Sequence, residues 1–311
     1  MNIYRINATE INIINKSLVC CIGFFDGLHL GHQELITNTI RLANKLNVES
    51  ALITFEPDPW VITKGLPIDQ VQHINDLNVK LELLNKFGIN NLIILEFDQI
   101  MSHLTSEQFT KVLYDNIDIK GLVYGFDFHY GYKGSGNHNT LKLQVHSDTI
   151  LKQITSIDDD IGKISSSRIS SLLIEGSVKK VNKLLGYKYY IKGKVICGNA
   201  KGRTIGFPTA NVEYSKELLL PKIGVYIGYV KYLNNYYKAI INIGNNPTFN
   251  YVNKVSLETY ILDFNKDIYD EIIDIIFVDY LRDETKFSSI FELKNQLNID
   301  SNKARELSNY E

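Results

Sequence analysis

Three stretches of the 311-residue chain gather side chains that could do chemistry. The first is Gly23-Phe24-Phe25-Asp26-Gly27-Leu28-His29-Leu30-Gly31-His32, set between an apolar run and a helical pattern. Its glycines allow a tight turn and let a ligand approach the backbone closely. The two imidazoles, three residues apart, fall where a helix begins, and unpaired amides and the helix dipole attract phosphate there. His29 and His32 could hydrogen-bond a triphosphate and stabilise charge that builds on the α-phosphorus during transfer. A structural turn with incidental histidines, or two metal ligands lacking a third, would show the same spacing. Neither G-x-x-x-x-G-K-[ST] nor G-x-G-x-x-G occurs, which argues against P-loop hydrolysis and ordinary dinucleotide binding.

The second stretch runs from Gly193-Lys194-Val195-Ile196-Cys197-Gly198 through Asn199-Ala200-Lys201-Gly202-Arg203 to Thr204-Ile205-Gly206-Phe207-Pro208-Thr209-Ala210-Asn211. A glycine-rich segment between strands can wrap phosphates with backbone amides. Thr209 offers a hydroxyl and Asn211 a carbonyl oxygen, both hard ligands suited to Mg²⁺. The third stretch, Ser256-Leu257-Glu258-Thr259-Tyr260, carries a lone carboxylate that should alternate with Leu257 across a strand. Facing a pocket beside Mg-ATP, Glu258 could act as general base on a hydroxyl. A solvated strand residue is the plain alternative, as a surface salt bridge is for Arg282 in Leu281-Arg282-Asp283-Glu284.

The elements that must hold these groups follow two rhythms. From Leu18 to about Ile161 strands alternate with helices: Leu18–Phe24, Ala51–Phe55, Asn91–Phe97 and Gly121–Gly125 against Gly31–Asn47, Asp76–Phe87 and Ser106–Asn116. Asp76 and Ser106 suit the N-cap position, and Gly88 a helix stop. This alternation predicts a parallel, doubly wound sheet with ligands outside the strands' C-terminal ends. Two short helices, Ser166–Glu175 and Val178–Leu185, end at Gly186. Beyond it five runs rich in Tyr, Ile and Val predict antiparallel strands with Asn234-Asn235 as a hairpin turn, and only Phe287–Leu297 is helical. Fold class is therefore α/β for residues 1–186 and an antiparallel barrel or sandwich for residues 187–311.

Composition limits the partners. Thirty-three basic and 35 acidic residues leave a net charge of −2, which argues against a nucleic-acid-coating surface or a polybasic membrane patch. Hydrophobic residues at 44% and charged residues at 22% are those of a globular chain with a core in each half. Cys20, Cys21 and Cys197 form no C-x-x-C pair and suit a reducing cytoplasm. The first residues lack a cationic segment followed by an apolar one, so no signal peptide is expected. The longest apolar run, Leu18 to Phe25, falls short of the roughly 18 residues needed to span a bilayer. Only six of the basic residues are Arg, so an Arg inside a motif is informative.

The motifs resemble those of the H-x-G-H nucleotidyltransferases and, more narrowly, of the bacterial bifunctional riboflavin kinase/FAD synthetase family. In the first half the matching loops are Gly23–His32, Thr54-Phe55-Glu56-Pro57-Asp58-Pro59, Gly125-Phe126-Asp127-Phe128-His129-Tyr130-Gly131 and Ile164-Ser165-Ser166-Ser167-Arg168-Ile169-Ser170. In the second they are Gly206–Asn211, Leu220–Tyr226, Asn242–Phe249, Glu258–Phe264 and Arg282. The resemblance implies a Rossmann-like FMN adenylyltransferase domain and a six-stranded antiparallel β-barrel riboflavin kinase domain, with Mg²⁺ and ATP used by the enzyme and riboflavin, FMN and FAD as substrates and products. It places ATP at Gly23, Phe25, Asp26, Gly27, His29, His32, Ser165, Ser166 and Arg168, and a second ATP at Gly198, Lys201, Gly202, Arg203, Thr209 and Asn211. Thr209 and Asn211 would ligate Mg²⁺, Glu258 would accept the ribityl 5′-hydroxyl proton, and Asp127, Phe207 and Arg282 would hold flavin. Two positions depart from the family pattern: Asp58 stands where His is usual, and Ser170 where an Arg would meet the triphosphate. A lysine such as Lys133 could replace that charge. Two other readings are a kinase with a degenerate N-terminal nucleotide-binding module and a non-catalytic flavin-binding protein.

Overall fold

The computed structural model describes residues 1–198, 201–245 and 255–310, apart from the side chains of Asp69, Lys201 and Arg203. Asn199, Ala200 and the Asn246–Phe249 part of the Asn242 loop lie outside the described residues. Two compact units result: Met1–His73 with Lys80–Ser165, and Ile74–Val79 with Ser166–Glu311.

The first unit is a parallel sheet of six strands, β1 (Asn2–Ile6), β2 (Ile14–Ile22), β3 (Glu49–Glu56), β4 (Asn91–Glu96), β5 (Ile117–Gly125) and β6 (Ile150–Ile154), in the order β1-β4-β3-β2-β5-β6. Its helices are α1 (Leu30–Leu46), α2 (Pro59–Thr63), α3 (Leu77–Phe87), which begins in the other unit's Ile74–Val79, α4 (Gln99–His103), α5 (Ser106–Asn116) and α6 (His138–Gln144). The central strands are apolar without alternation because both faces are covered: Leu18 to Ile22, Ala51 to Ile53 and Leu92 to Leu95 are all buried. Asp76 accepts from the Val79 amide at 2.8 Å, as expected of the α3 cap, and Gly88 takes φ +85° at its end. The α5 cap is Thr105, not Ser106. Its hydroxyl accepts from the Gln108 amide and the Gln108 side chain answers the Thr105 amide, a reciprocal box that Ser106, already helical, could not form. A short β7 (Asp158–Asp159) and β8 (Gly162–Lys163) hairpin closes the unit.

The second unit begins with α7 (Ser166–Ile174) and α8 (Val178–Leu185). The reason is packing: Val178, Val181, Leu184 and Leu185 of α8 are buried, and Asn182 joins the Phe277 carbonyl and the Tyr189 amide at 2.9 and 2.7 Å. Gly186 ends α8 in the left-handed conformation at φ +73°. Then come β9 (Tyr190–Ile196), α9 (Lys201–Thr204), β10 (Thr209–Glu213), β11 (Gly224–Tyr232), β12 (Asn235–Asn245), β13 (Val255–Ile261), β14 (Ile272–Arg282) and α10 (Ile290–Arg305). The strands close an antiparallel barrel in the order β10-β13-β12-β11-β14-β9. The hairpin turn is Leu233-Asn234 and not Asn234-Asn235, since Tyr232 pairs with Asn235 and Leu233 takes φ +54°. The strand the residue pattern missed, β10, is polar with only Val212 buried, yet it joins β9 to β13 and completes the barrel.

Candidate active sites

In the first unit β2 leads leftward to β3 and β4, while β5 and β6 lie on its other side, so the order reverses between β2 and β5. Ligands of such sheets bind in the crevice beyond the strand ends at that point. The loop after β2 holds the histidine motif and the loop after β5 holds Asp127. The motif turn is tightly wound, with Phe25, Gly27 and Leu28 at φ +56°, +76° and +42°. Such backbone in buried non-glycine residues persists only where its surroundings enforce it. Here the Thr54 hydroxyl and the Lys80 ammonium both donate to the Phe24 carbonyl, at 2.9 and 3.1 Å, and Gln33 donates to the Leu28 carbonyl at 2.8 Å. Phe25, Asp26 and Gly27 are buried beneath it, and Gly23 donates to the Ile53 carbonyl.

His29 caps α1, its Nδ1 accepting from the His32 amide at 3.4 Å. A neutral ring whose Nδ1 accepts must carry its proton on Nε2, which is then a donor. The His32 ring stacks on His29 with centroids 3.7 Å apart, and its buried Nδ1 has no hydrogen-bond partner. Burial, followed by the Lys163 charge, lowers the His29 pKa to about 4, and burial, His29, Lys80 and Lys163 push His32 well down. Both imidazoles are therefore neutral donors at physiological pH. A histidine in the unfolded chain takes its proton near 6.5 and His29 near 4, so between these values the unfolded state binds more protons and stability falls as pH drops. Acidification across this range is expected to cost about 3 kcal/mol from His29. Urea unfolding at pH 7 and pH 4.5 should show His29→Asn, which keeps the cap, losing less stability than the parent.

Asp58, in place of the usual His, caps α2 by accepting from the Trp60 amide at 2.7 Å, and lies 3.9 Å from His73 Nδ1. Asp127 is paired with Lys163, whose ammonium also lies 4.7 Å from the Phe126 ring centroid. The Lys133 ammonium lies 5.2 Å from the Tyr132 ring centroid. Ser165 is half-buried at the end of the first unit. Ser166, Arg168 and Ser170 stand on α7 and are each half-buried, while Ile169 and Leu173 of the same helix are buried. Lys80 and Lys163 are groups that sequence reasoning missed. Lys80 lies in an ordinary helical stripe, and only its burial at 7% exposure, facing Asp26, Asp58 and Glu56, sets it apart.

In the barrel, register gathers the second constellation. Asn211 of β10 and Asn242 of β12 both pair with Glu258 of β13, Asn242 pairs with Val225, and Val225 pairs with Arg282. Directly paired residues share a face, so Asn211, Glu258 and Asn242 form one row. Leu257 and Thr259 are buried while Glu258 is half-buried on the opposite face, as the alternation predicts. Thr209, two residues from Asn211 on β10, joins the same face and is exposed. Glu258 is not a lone carboxylate: burial and then the Glu284 charge raise its pKa, and Glu284 accepts from Asn242 at 3.4 Å. The Phe207 ring meets Tyr260 edge-on at 5.2 Å. Glycines give the backbone its close approaches. A Cβ on Gly198 would lie 2.1 Å from the Asn211 amide nitrogen, and one on Gly202 would lie 2.2 Å from the Phe207 carbonyl.

Arg282 is held from behind. Its guanidinium donates to Asp300 of α10 at 3.3, 3.1 and 2.7 Å, and Gln296 donates to the same carboxylate at 2.9 Å. Asp300 is 1% exposed, so this is a buried pair and not a surface salt bridge. Removing one partner strands the other charge. Asp300→Ala is therefore expected to destabilise the protein by about 2–4 kcal/mol, discounted because Arg282 keeps some solvent. Chemical denaturation of the full chain checks this.

A glycine turn and helix start at the switch point of a parallel sheet, and a barrel face with hydroxyl, amide and carboxylate in register, are those of a two-site nucleotide-handling transferase. The family model for FAD synthetase matches residues 11–168, and that for riboflavin kinase matches residues 185–308. The bifunctional riboflavin kinase/FMN adenylyltransferase of Listeria monocytogenes serovar 1/2a is 36% identical over 97% of this chain and 95% of its own. That of Bacillus subtilis is 34% identical over 92% and 91%. A solved structure from Streptococcus pneumoniae, described as a macrolide-efflux protein, superposes with a TM-score of 0.91 at 33% identity, over 99% of this chain and 100% of that one. Among the described residues no helix is long and apolar enough to cross a membrane. The chain belongs to the bifunctional riboflavin kinase/FMN adenylyltransferase family.

Proposed function

We infer that the chain phosphorylates riboflavin to FMN with ATP and adenylylates FMN to FAD with release of pyrophosphate. The observation that carries the first reaction is the in-register row of Asn211, Glu258 and Asn242 beside Thr209. Glu258 takes the proton of the ribityl 5′-hydroxyl as that oxygen attacks the γ-phosphorus, and ADP leaves. A carboxylate with a raised proton affinity is better matched to this transfer than an ordinary one. Arg282, braced by Asp300, and Phe207 hold the flavin. Gly198, Lys201, Gly202 and Arg203 cover the ATP phosphates.

Thr209 and Asn211 suit Mg²⁺: both offer oxygen, and the Asn211 amide lies over the side-chain-free Gly198. No group of three or more His, Cys, Asp or Glu side chains among the described residues could hold a metal, so the ion would share these ligands with ATP phosphates, as Mg²⁺ commonly does. When bound it neutralises phosphate charge.

In the first unit the FMN phosphate, already ionised at neutral pH, attacks the α-phosphorus with no general base required. His29 Nε2 and the His32 ring donate to the oxygens on which charge gathers, and pyrophosphate leaves. Gly23, Phe25, Asp26 and Gly27 shape the cradle, Ser165 adds a polar contact to ATP, and Asp127 meets FMN. We assign adenylyl transfer to residues 1–186 and phosphoryl transfer to 187–311. Free Cys20, Cys21 and Cys197 are consistent with a reducing, cytoplasmic setting. The kinase-only alternative draws on Ser170; against it stands the FAD synthetase match over residues 11–168. Incubation with riboflavin, ATP and Mg²⁺ followed by flavin chromatography tests the reading. FMN then FAD is expected; FMN without FAD would leave the kinase alone.

A further inference from the structure

In the reading above Arg282 holds the flavin, and α10 holds Arg282 through Asp300. What holds α10 therefore bears on the kinase site, and the helix has little apolar grip of its own. Of its 16 residues only Asp300, Ser301 and Ala304 are buried, while Ile290, Phe291 and Ile299 are exposed. Its one buried apolar side chain, Ala304, packs in a cluster with Val225, Ile240 and Leu262 at the last turn. A helix with so narrow an apolar seat takes its position from whatever fixes its end.

The fixing groups stand on one face of β12. Tyr236, Lys238, Ile240 and Asn242 alternate onto that face, and each has a task. Asn242 belongs to the row with Glu258, Ile240 to the cluster that buries Ala304, and Lys238 donates to the Arg305 carbonyl at 2.7 Å. Tyr236 takes the segment after the helix: its ring stacks on Tyr310 with centroids 4.0 Å and planes 7° apart. Tyr229 of β11 pairs with Lys238 and so shares the face. It meets Tyr310 edge-on at 5.0 Å and donates its hydroxyl to the Ser308 carbonyl at 2.6 Å. The Lys188 ammonium lies 4.3 Å from the centroid of the Tyr310 ring. The remaining tie, Arg305 with Asp263, joins two exposed side chains and fixes little. A ring in contact with two others and a cation is held in one geometry. One strand face thus carries the Tyr310 clamp at one end and a member of the catalytic row at the other, with the Ala304 seat between them.

We propose that Tyr310 is a positioning residue for riboflavin phosphorylation: its ring, held by Tyr236, Tyr229 and Lys188, fixes where α10 lies and so where Asp300 presents Arg282 to the flavin. This inference rests on the kinase reading above. The test uses the full chain and measures phosphorylation at varied riboflavin and at varied ATP for the parent, Tyr310→Ala, Tyr310→Phe and Tyr236→Ala. KM does not depend on how much of a preparation is folded, so it separates positioning from stability. Tyr236 is 41% exposed, so its variant breaks the same stack at little cost to the barrel. Coupling through α10 predicts a riboflavin KM raised about threefold or more in both alanine variants, with the ATP KM unchanged. Tyr310→Phe keeps the ring and should keep the parent riboflavin KM. A smaller rise in the alanine variants, or an ATP KM that rises in step, would overturn the inference. So would a Tyr310→Phe enzyme as impaired as Tyr310→Ala. A parent that makes no FMN, or an Arg282→Ala enzyme with the parent riboflavin KM, would instead overturn the reading of the kinase site itself.

Discussion

Glu258→Gln is expected to lower riboflavin phosphorylation by about 10²–10⁴-fold, the usual contribution of a positioned general base, while FMN adenylylation by the same preparation stays at the parent rate. The amide keeps the size and the neighbours of Glu258 in the Asn211–Glu258–Asn242 row, so the loss reports proton transfer and not packing. The pH dependence has a definite sign. Glu258 must be ionised to accept a proton, and burial with the nearby Glu284 raises its pKa above the usual glutamate value. Kinase activity should fall on acidification at a higher pH than an ordinary glutamate would give. Glu284→Gln removes the repelling charge, so the acid limb of kcat/KM should move to lower pH. An unchanged limb would separate Glu284 from the chemistry, and an active Glu258→Gln enzyme would remove Glu258 from its role.

His32→Ala is expected to lower FAD formation from FMN by about 10²–10³-fold, the scale seen when one donor to a developing oxyanion is lost. The ring is poised for the part: it stacks 3.7 Å from His29 and its buried Nδ1 lacks a partner. A buried polar atom left unpaired costs free energy, and a phosphate oxygen would relieve that cost. The effect should fall mainly on kcat, since the charge it answers grows toward the transition state. Riboflavin phosphorylation should be untouched. Equal loss of both activities would mean that His32 serves folding.

The large-scale design was legible because central parallel strands are covered on both faces and read as uninterrupted apolar runs, as Leu18 to Ile22 and Leu92 to Leu95 do. Edge strands gave no such run. In β6 only Leu151 and Ile154 are half-buried and the rest is exposed, and β1 is mostly exposed, so neither carries a readable pattern. The polar β10 was hidden for the same reason, although Thr209 and Asn211 on it were picked out for their oxygens. Single residues that act through space escaped altogether. Asp300 stands 18 residues beyond Arg282, on a different element, and nothing local says that α10 will bury it there. Lys163 precedes a motif and becomes notable only when the Asp127 loop and the α1 turn meet it. Periodicity reports burial along one element, whereas these contacts join elements.

The central claim is that one chain moves two different parts of ATP onto one flavin. Position-labelled ATP addresses it most directly: the parent is given riboflavin, Mg²⁺ and ATP labelled at either the α- or the γ-phosphorus, and the flavins are separated and counted. The γ-label should enter FMN and persist in FAD, and the α-label should appear in FAD and in no other flavin. A γ-label that never reaches FMN, or an α-label that never reaches FAD, would contradict the account.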